Sequence, residues 1–281
     1  MNNKKFNAYI ELSKPSIFGL VLVTTALGYY FAGKGVQDRG ILAWTLLGAA
    51  LTCAGSGALN HFVERDSDAK MNRTRNRPIP KGIISPANAL AYGILAVLSG
   101  VTLLCWKVNL LTAFLYVLVY TPMKKISWLN TSIGAIPGAI PPMGGWAAAT
   151  NHLDPGAWVL FLILFAWQHP HFYAIAWLCK EDYAKAGFKM LPVVDPDGIS
   201  TFRQSIFFCL MLLAVSVVPA FIGMSGKIYL AGALVLGFGF LYAGWQLLRS
   251  HSMVDARRLL GASVLYLPLL LVVIIVDLWV L

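Results

Sequence analysis

The chain alternates between long apolar runs and short polar connections, and nine of the runs approach the length needed to cross a bilayer as helices. They cover about 16 to 33, 41 to 62, 87 to 106, 109 to 121, 131 to 149, 157 to 179, 206 to 222, 228 to 247 and 260 to 280. No alternation over segments of about ten residues marks a membrane strand. The expected fold is therefore an all-α polytopic membrane protein with nine transmembrane helices. The first run follows Lys14-Pro15, has no small-residue cleavage site and is succeeded by further spans, so it reads as a retained helix and not as a signal peptide. Glu11 and the short leader are unlike a transit peptide.

Composition agrees with this pattern. The chain is 58% hydrophobic and 12% charged with mean hydropathy +0.69, against about 25% charged residues in ordinary soluble domains. The longest polar connections are residues 63–86 and 180–205, too short for a soluble domain, so residues 1–281 read as one intramembrane domain with these two loops as its cap. With the N-terminus inside, inner segments hold 18 Lys and Arg residues and outer segments 4, namely Lys34, Arg39, Lys107 and Lys227. That imbalance predicts a cytoplasmic N-terminus and, after nine crossings, an external C-terminus. The net charge of +10 is thus mostly topogenic, and no nucleic-acid partner is expected from it. Both long loops face the cytoplasm on this topology. Cys53, Cys105, Cys179 and Cys209 fall in or beside spans without paired spacing and read as small core residues.

The most polar stretch is residues 60–82. Asn60, Glu64 and Asp68 recur every four residues, so their oxygens share one face if the preceding helix continues. An oxygen-rich face suits Mg²⁺, which typically sits between one or two carboxylates and a substrate phosphate. Arg73, Arg75 and Arg77 alternate before Pro78, which disfavours helix. An extended backbone there would aim three guanidinium forks one way, toward phosphate oxygens, with Lys81 beyond them. A plain positive-inside anchor accounts for the arginines but not for the register of Asn60, Glu64 and Asp68, since acids contribute little to topology. Asp66 lies off that face and is placed to pair with Arg65 or Lys70, or to support the face from behind.

The second loop carries Glu181, Asp182, Lys185 and Lys189 and emerges at the same membrane side. It reads either as a second acidic cluster around one diphosphate or as an ordinary hydrated loop. Span five holds Gly134, Pro137, Gly138, Pro141, Pro142, Gly144 and Gly145, a backbone so interrupted that it must be buried in protein or line a cavity. Lys124 and Lys125, after the short fourth span and Tyr120, serve as phosphate ligands or as an inside anchor. In span six, Trp167-Gln168-His169-Pro170-His171-Phe172 puts costly polar groups into an apolar helix, for a substrate or cofactor, for direct iron ligation, or to satisfy a proline kink. On a regular helix the two histidines point about 200° apart, so one is expected to face a cavity and the other a neighbouring helix. His61, His152 and His251 give no such signal.

Taken together, Asn60-x-x-x-Glu64-x-x-x-Asp68, the Arg-Thr-Arg-Asn-Arg-Pro run, Tyr120-Thr-Pro-Met-Lys124-Lys125, Trp167-Gln-His-Pro-His-Phe172, Asp182-Tyr183-x-x-Ala186-Gly187 and Met190-Leu-Pro192 resemble the UbiA superfamily of intramembrane prenyltransferases. The resemblance covers nearly the whole chain and points to its haem branch, the protohaem IX farnesyltransferases. Two positions depart from the pattern. Glu64 stands where aspartate is common, and Asp182 has no acid four residues on.

The resemblance implies a UbiA-type bundle of two pseudo-repeated four-helix units with a central cavity open to lipid, in the bacterial cytoplasmic (inner) membrane. It implies farnesyl transfer from farnesyl diphosphate to the vinyl group of haem B, giving haem O, with Mg²⁺ as cofactor. Asn60, Glu64 and Asp68 are then catalytic metal ligands with Asp182, and Arg73, Arg75, Arg77, Lys81, Lys124, Lys125 and Lys185 bind diphosphate. Tyr120, Gln168, His169 and His171 contact haem, and a haem A synthase or terminal oxidase takes the product. Two other readings compete, a UbiA-type enzyme prenylating an aromatic acid or quinone precursor and a secondary transporter. A transporter places its ionisable groups near the membrane midplane, whereas here they gather at one face.

Overall fold

A computed structural model describes residues 3–118 and 129–280. Thirteen helices are present among them, and no strand. The order is α1 (Asn3–Leu12), α2 (Pro15–Gly33), α3 (Arg39–Asp68), α4 (Pro86–Lys107), α5 (Leu110–Leu118), α6 (Asn130–Ala139), α7 (Pro141–Thr150), α8 (Pro155–Leu178), α9 (Lys180–Lys185), α10 (Leu191–Val194), α11 (Ile199–Phe221), α12 (Lys227–Ser250) and α13 (Met253–Val280). Seven of them, α2, α3, α4, α8, α11, α12 and α13, are long and apolar enough to cross a membrane. Their outer faces keep large apolar side chains exposed, among them Leu95, Leu98, Phe207, Val235 and Phe238. A water-soluble monomer does not tolerate so continuous an apolar surface, and a lipid-facing one requires it. The fold is that of a multi-pass membrane protein.

The predicted runs map onto these helices with two exceptions. The fourth is described only through the nine-residue α5. The fifth is divided into α6 and α7, where Pro141 and Pro142 remove successive N–H donors and Pro137 interrupts α6. α1 carries no span signal and was not anticipated. α11 begins seven residues before its predicted start because the Asp195 carboxylate accepts from Ser200 N at 2.8 Å and Thr201 N at 3.3 Å, capping a helix that opens in the loop. Ser85 with Pro86 starts α4, and Asp38 caps α3 through Gly40 N and Ile41 N.

Two compact units are formed. The first contains α1 to α5 and α7. Here α3 and α4 pack along their length at glycines: a Cβ on Gly55 would lie 2.6 Å from Gly93 O, so the close approach requires glycine. α2 meets α7 still more closely, and a methyl group at Gly145 would overlap the Thr25 carbonyl. Ala8 and Leu12 of α1 close a buried cluster with Ala58, Ile79, Ile84 and Ala89, which clamps the chain segment following α3.

The second unit contains α6, α8 from Trp158 onward, α9 through Ala184 and α10 to α13. α12 packs against both α11 and α13. Its first turn has no side-chain cap of its own. Asp277, near the far end of α13, supplies one by accepting from Gly226 N and, at 3.0 Å, from Tyr229 N. A carboxylate at a helix N-terminus meets both the unpaired N–H groups and the positive end of the dipole.

Candidate active site

α3 runs unbroken to Asp68, so Asn60, Glu64 and Asp68 do line one face of its last turns. Asn60 and Glu64 are half-buried and Asp68 is wholly buried. A buried carboxylate needs a partner, and Arg77 is that partner. One guanidinium nitrogen, Nη1, donates to Asp68 Oδ1 at 2.8 Å and Oδ2 at 2.7 Å, and lies 4.0 Å from Glu64 Oε2. Arg77 keeps 21% side-chain exposure.

The backbone that brings Arg77 back is not extended, which corrects the expectation for the arginine row. Residues 69–83 coil through successive turns: Thr74 N donates to Met71 O, Arg77 N to Thr74 O and Lys81 N to Arg77 O. Thr74 Oγ1 and Met71 N both donate to the Asp68 carbonyl, which ties the coil to the end of α3. Burial of Ile79 and Ile84 under α1 holds the other end. These tertiary contacts override the local preference of the residue before proline. The three arginines therefore do not point one way. Arg77 turns to the acids, while Arg73, Arg75 and Lys81 are exposed. Off the face, Arg65 approaches Asp66 at 3.8 Å, one of the alternatives open to Asp66, and donates to Phe62 O.

Oxygen donors with two carboxylates match a hard cation. Among the described residues no three His, Cys, Asp or Glu side chains converge into a metal cluster. Mg²⁺ is typically held by one or two carboxylates and completed by substrate phosphate and water. His61, adjacent to Asn60 and 2% exposed, has no hydrogen-bond partner for Nδ1 among the described residues. Its burial had no sequence signal, since a histidine beside a polar face reads as solvated. In the other loop, Asp182 is half-buried in α9, and Glu181 and Lys185 are exposed.

The histidines of α8 separate as the helix geometry requires. His169 is fully buried, with Nδ1 2.7 Å from Phe165 O and Nε2 3.0 Å from Ser132 Oγ of α6, and its ring stacks on Phe208 at 3.5 Å between centroids. A carbonyl only accepts, so Nδ1 carries the proton and Nε2 takes the serine hydroxyl. His171 is half-buried, its ring stacked on Trp167. Its Nδ1 lies 2.8 Å from Ser263 Oγ, and that hydroxyl donates its one proton to Leu260 O at 2.6 Å. Ser263 must therefore accept from His171, which places the proton on Nδ1 and leaves the lone pair on Nε2. Both histidines thus bond to neighbouring helices, and the two differ in what Nε2 retains.

Gln168 is a strut. Its amide donates to Leu164 O and Ala135 O, and a Cβ on Gly138 would collide with its oxygen. Tyr120, Lys124 and Lys125 lie outside the described residues. All four cysteines are free thiols.

Residues 21–272 match the model of the UbiA prenyltransferase family. Two similar proteins are the protoheme IX farnesyltransferases of Solibacter usitatus and Salinibacter ruber. The first is 47% identical over 285 residues and the second 44% over 276, each alignment covering 96% of this chain and 98% of the relative. Among solved structures, one of digeranylgeranylglyceryl phosphate synthase superposes with TM-score 0.82 at 18% identity, covering 99% of both chains. A UbiA homolog from Archaeoglobus fulgidus bound to GPP and Mg²⁺ superposes with TM-score 0.66 at 16% identity, covering 95% of this chain and 99% of that one. At those identities the structures speak to the fold, and the two relatives speak to the branch. The chain belongs to the UbiA prenyltransferase family, in the branch of the protoheme IX farnesyltransferases.

Proposed function

We infer that the protein transfers the farnesyl group of farnesyl diphosphate to the vinyl side chain of haem B, making haem O and releasing diphosphate. The full-length identity to protoheme IX farnesyltransferases carries the acceptor. The single structural observation that carries the reaction class is the oxygen face of Asn60, Glu64 and Asp68 with an arginine already drawn to it. Residues 1–281 act as one catalytic domain crossing the bacterial cytoplasmic membrane nine times, N-terminus inside and C-terminus outside. The product passes to a haem A synthase or terminal oxidase.

A bound Mg²⁺ would supply positive charge against the diphosphate as it departs. Asn60, Glu64 and Asp68 would hold that ion, with Asp182 proposed as a further ligand. Arg73, Arg75, Arg77 and Lys81, with Lys124, Lys125 and Lys185, bind the phosphate oxygens bidentately or as point charges. The terminal vinyl carbon of haem B then bonds to C1 of the farnesyl group. Water adds its oxygen to the resulting cation beside the porphyrin ring and loses a proton to bulk, so haem B, farnesyl diphosphate and water become haem O and diphosphate. His171, with its Nε2 lone pair available, would ligate the haem iron, and Ser263 fixes its tautomer. His169 supports α8 against α6, and Tyr120 and Gln168 border the acceptor.

Purified protein given Mg²⁺, farnesyl diphosphate and either haem B or 4-hydroxybenzoate tests this by product mass. A farnesylated, hydrated haem is expected. Prenylated benzoate alone would transfer the reading to the aromatic-acid enzymes, and no product with either acceptor would favour the transporter.

A further inference from the structure

Resting on the metal and diphosphate reading above, we propose that Arg77 is a built-in counter-ion that occupies the cation position of the acid face and is exchanged to the diphosphate when substrate loads. Metal and diphosphate binding are thereby coupled through one side chain.

The geometry carries this in three steps. First, a single nitrogen bonds both oxygens of Asp68, at 2.8 and 2.7 Å, which places a positive charge near the bisector of the carboxylate, where a divalent ion would otherwise sit. The same nitrogen is 4.0 Å from Glu64, so the two acids share one guanidinium. Asp68 has no exposure, hence a second cation cannot reach it while Arg77 stays. Second, Arg77 is able to leave. Its side chain keeps 21% exposure, it sits in a coil of turns and not in a helix, and Gly82 closes the coil at φ +70, a left-handed conformation that glycine adopts without strain. The anchors of the coil, Thr74 and Met71 on the Asp68 carbonyl and Ile79 and Ile84 in the core, hold its backbone independently of the Arg77–Asp68 pair. Third, the exchange is favourable only when both ligands arrive. A metal alone must evict a charge-assisted pair, whereas with diphosphate present the evicted guanidinium gains phosphate oxygens of matching fork geometry.

Linkage then fixes the sign of two effects. Diphosphate must strengthen metal binding. Replacing the arginine by a neutral side chain must strengthen binding of the metal alone, although it weakens diphosphate. Ordinary loss of a site residue does not produce that opposite pair.

The test uses the full-length protein in detergent or nanodiscs and follows bound Mn²⁺ by electron paramagnetic resonance, with and without inorganic diphosphate. Wild-type protein is expected to bind Mn²⁺ at least about tenfold more tightly when diphosphate is present. Arg77→Gln is expected to bind Mn²⁺ alone about fivefold or more tighter than wild type, with the diphosphate effect reduced toward unity, and Arg77→Lys, which keeps a charge, falls between them. Independent binding of the two ligands to wild-type protein overturns the proposal, and needs no folded variant. So does unchanged or weaker Mn²⁺ affinity in an Arg77→Gln protein that retains its helical circular dichroism. Absence of any Mn²⁺ binding to wild type, while farnesylated haem is still formed, overturns it together with the metal assignment and leaves the activity standing.

Discussion

Asp68→Asn replaces the buried carboxylate by a neutral group of nearly the same size, and the structure sets what is lost. Asp68 accepts two charge-assisted hydrogen bonds from Arg77, each inside 3 Å, in a place water does not reach. Removing one partner of a fully buried ion pair costs about 3–5 kcal/mol. Here the cost is reduced to about 1–3 kcal/mol, because the amide oxygen still accepts one bond, Glu64 remains 4.0 Å away, and Arg77 has partial access to water. The fold is expected to survive. Turnover is not: losing one of the two α3 carboxylates assigned to the divalent ion is expected to lower it by at least about a hundredfold, about 2.7 kcal/mol of transition-state stabilisation. Glu64→Asp is expected to be milder, since the acid is retained. Asp66→Asn, at a side chain 79% exposed and off the face, is the control. Product formation is followed over a Mg²⁺ titration, with circular dichroism and size-exclusion profiles confirming the fold. Turnover of Asp68→Asn within tenfold of wild type at ordinary Mg²⁺ would refute the assignment of this face.

Three further outcomes are expected. A topology reporter fused after residue 155 or at Leu281 should read external and one after residue 75 or 190 internal, and a cytoplasmic C-terminus would end the nine-crossing account. His171→Ala should abolish the shifted haem absorption band and recover it with added imidazole, whereas His169→Ala should keep the band and lose thermal stability through Ser132 and Phe208. Equal, complete and unrescued loss of haem binding in both would contradict the separate roles. Gly145→Ala should force α7 from α2 and destabilise the protein by about 1–3 kcal/mol or more, while Gly239→Ala, where a Cβ meets nothing within 4 Å, should leave the melting temperature unchanged. Equal melting temperatures for the two would disprove the close approach.

Much of the architecture was legible because bilayer thickness sets helix length and apolar runs report it directly. The register of Asn60, Glu64 and Asp68 was legible for a similar reason, as a four-residue period needs only that α3 continue. Contacts fixed by distant packing were not. Arg77 reaches Asp68 because Thr74 and Met71 bind the Asp68 carbonyl and Ile79 and Ile84 sink beneath α1, and α1 itself is too short and polar to announce a membrane role. The histidines announced themselves by polarity, but their tautomers depend on Ser132 and Ser263, thirty-seven and ninety-two residues away, which look like any serine in an apolar helix. Asp277 was invisible for the same cause: its partners Gly226 and Tyr229 are backbone donors, and a backbone carries no sequence signal.

The central claim is that this chain joins a farnesyl group to haem B by carbon–carbon bond formation and then hydrates the product. It is tested most directly by incubating purified protein with Mg²⁺, farnesyl diphosphate and haem B in water enriched in ¹⁸O and analysing the haem by mass. The account predicts one haem product carrying one farnesyl group and one ¹⁸O atom, formed in step with released diphosphate and absent without Mg²⁺. Unmodified haem B recovered beside intact farnesyl diphosphate, from protein shown to be folded, would contradict it, and so would a farnesylated haem with no oxygen from water.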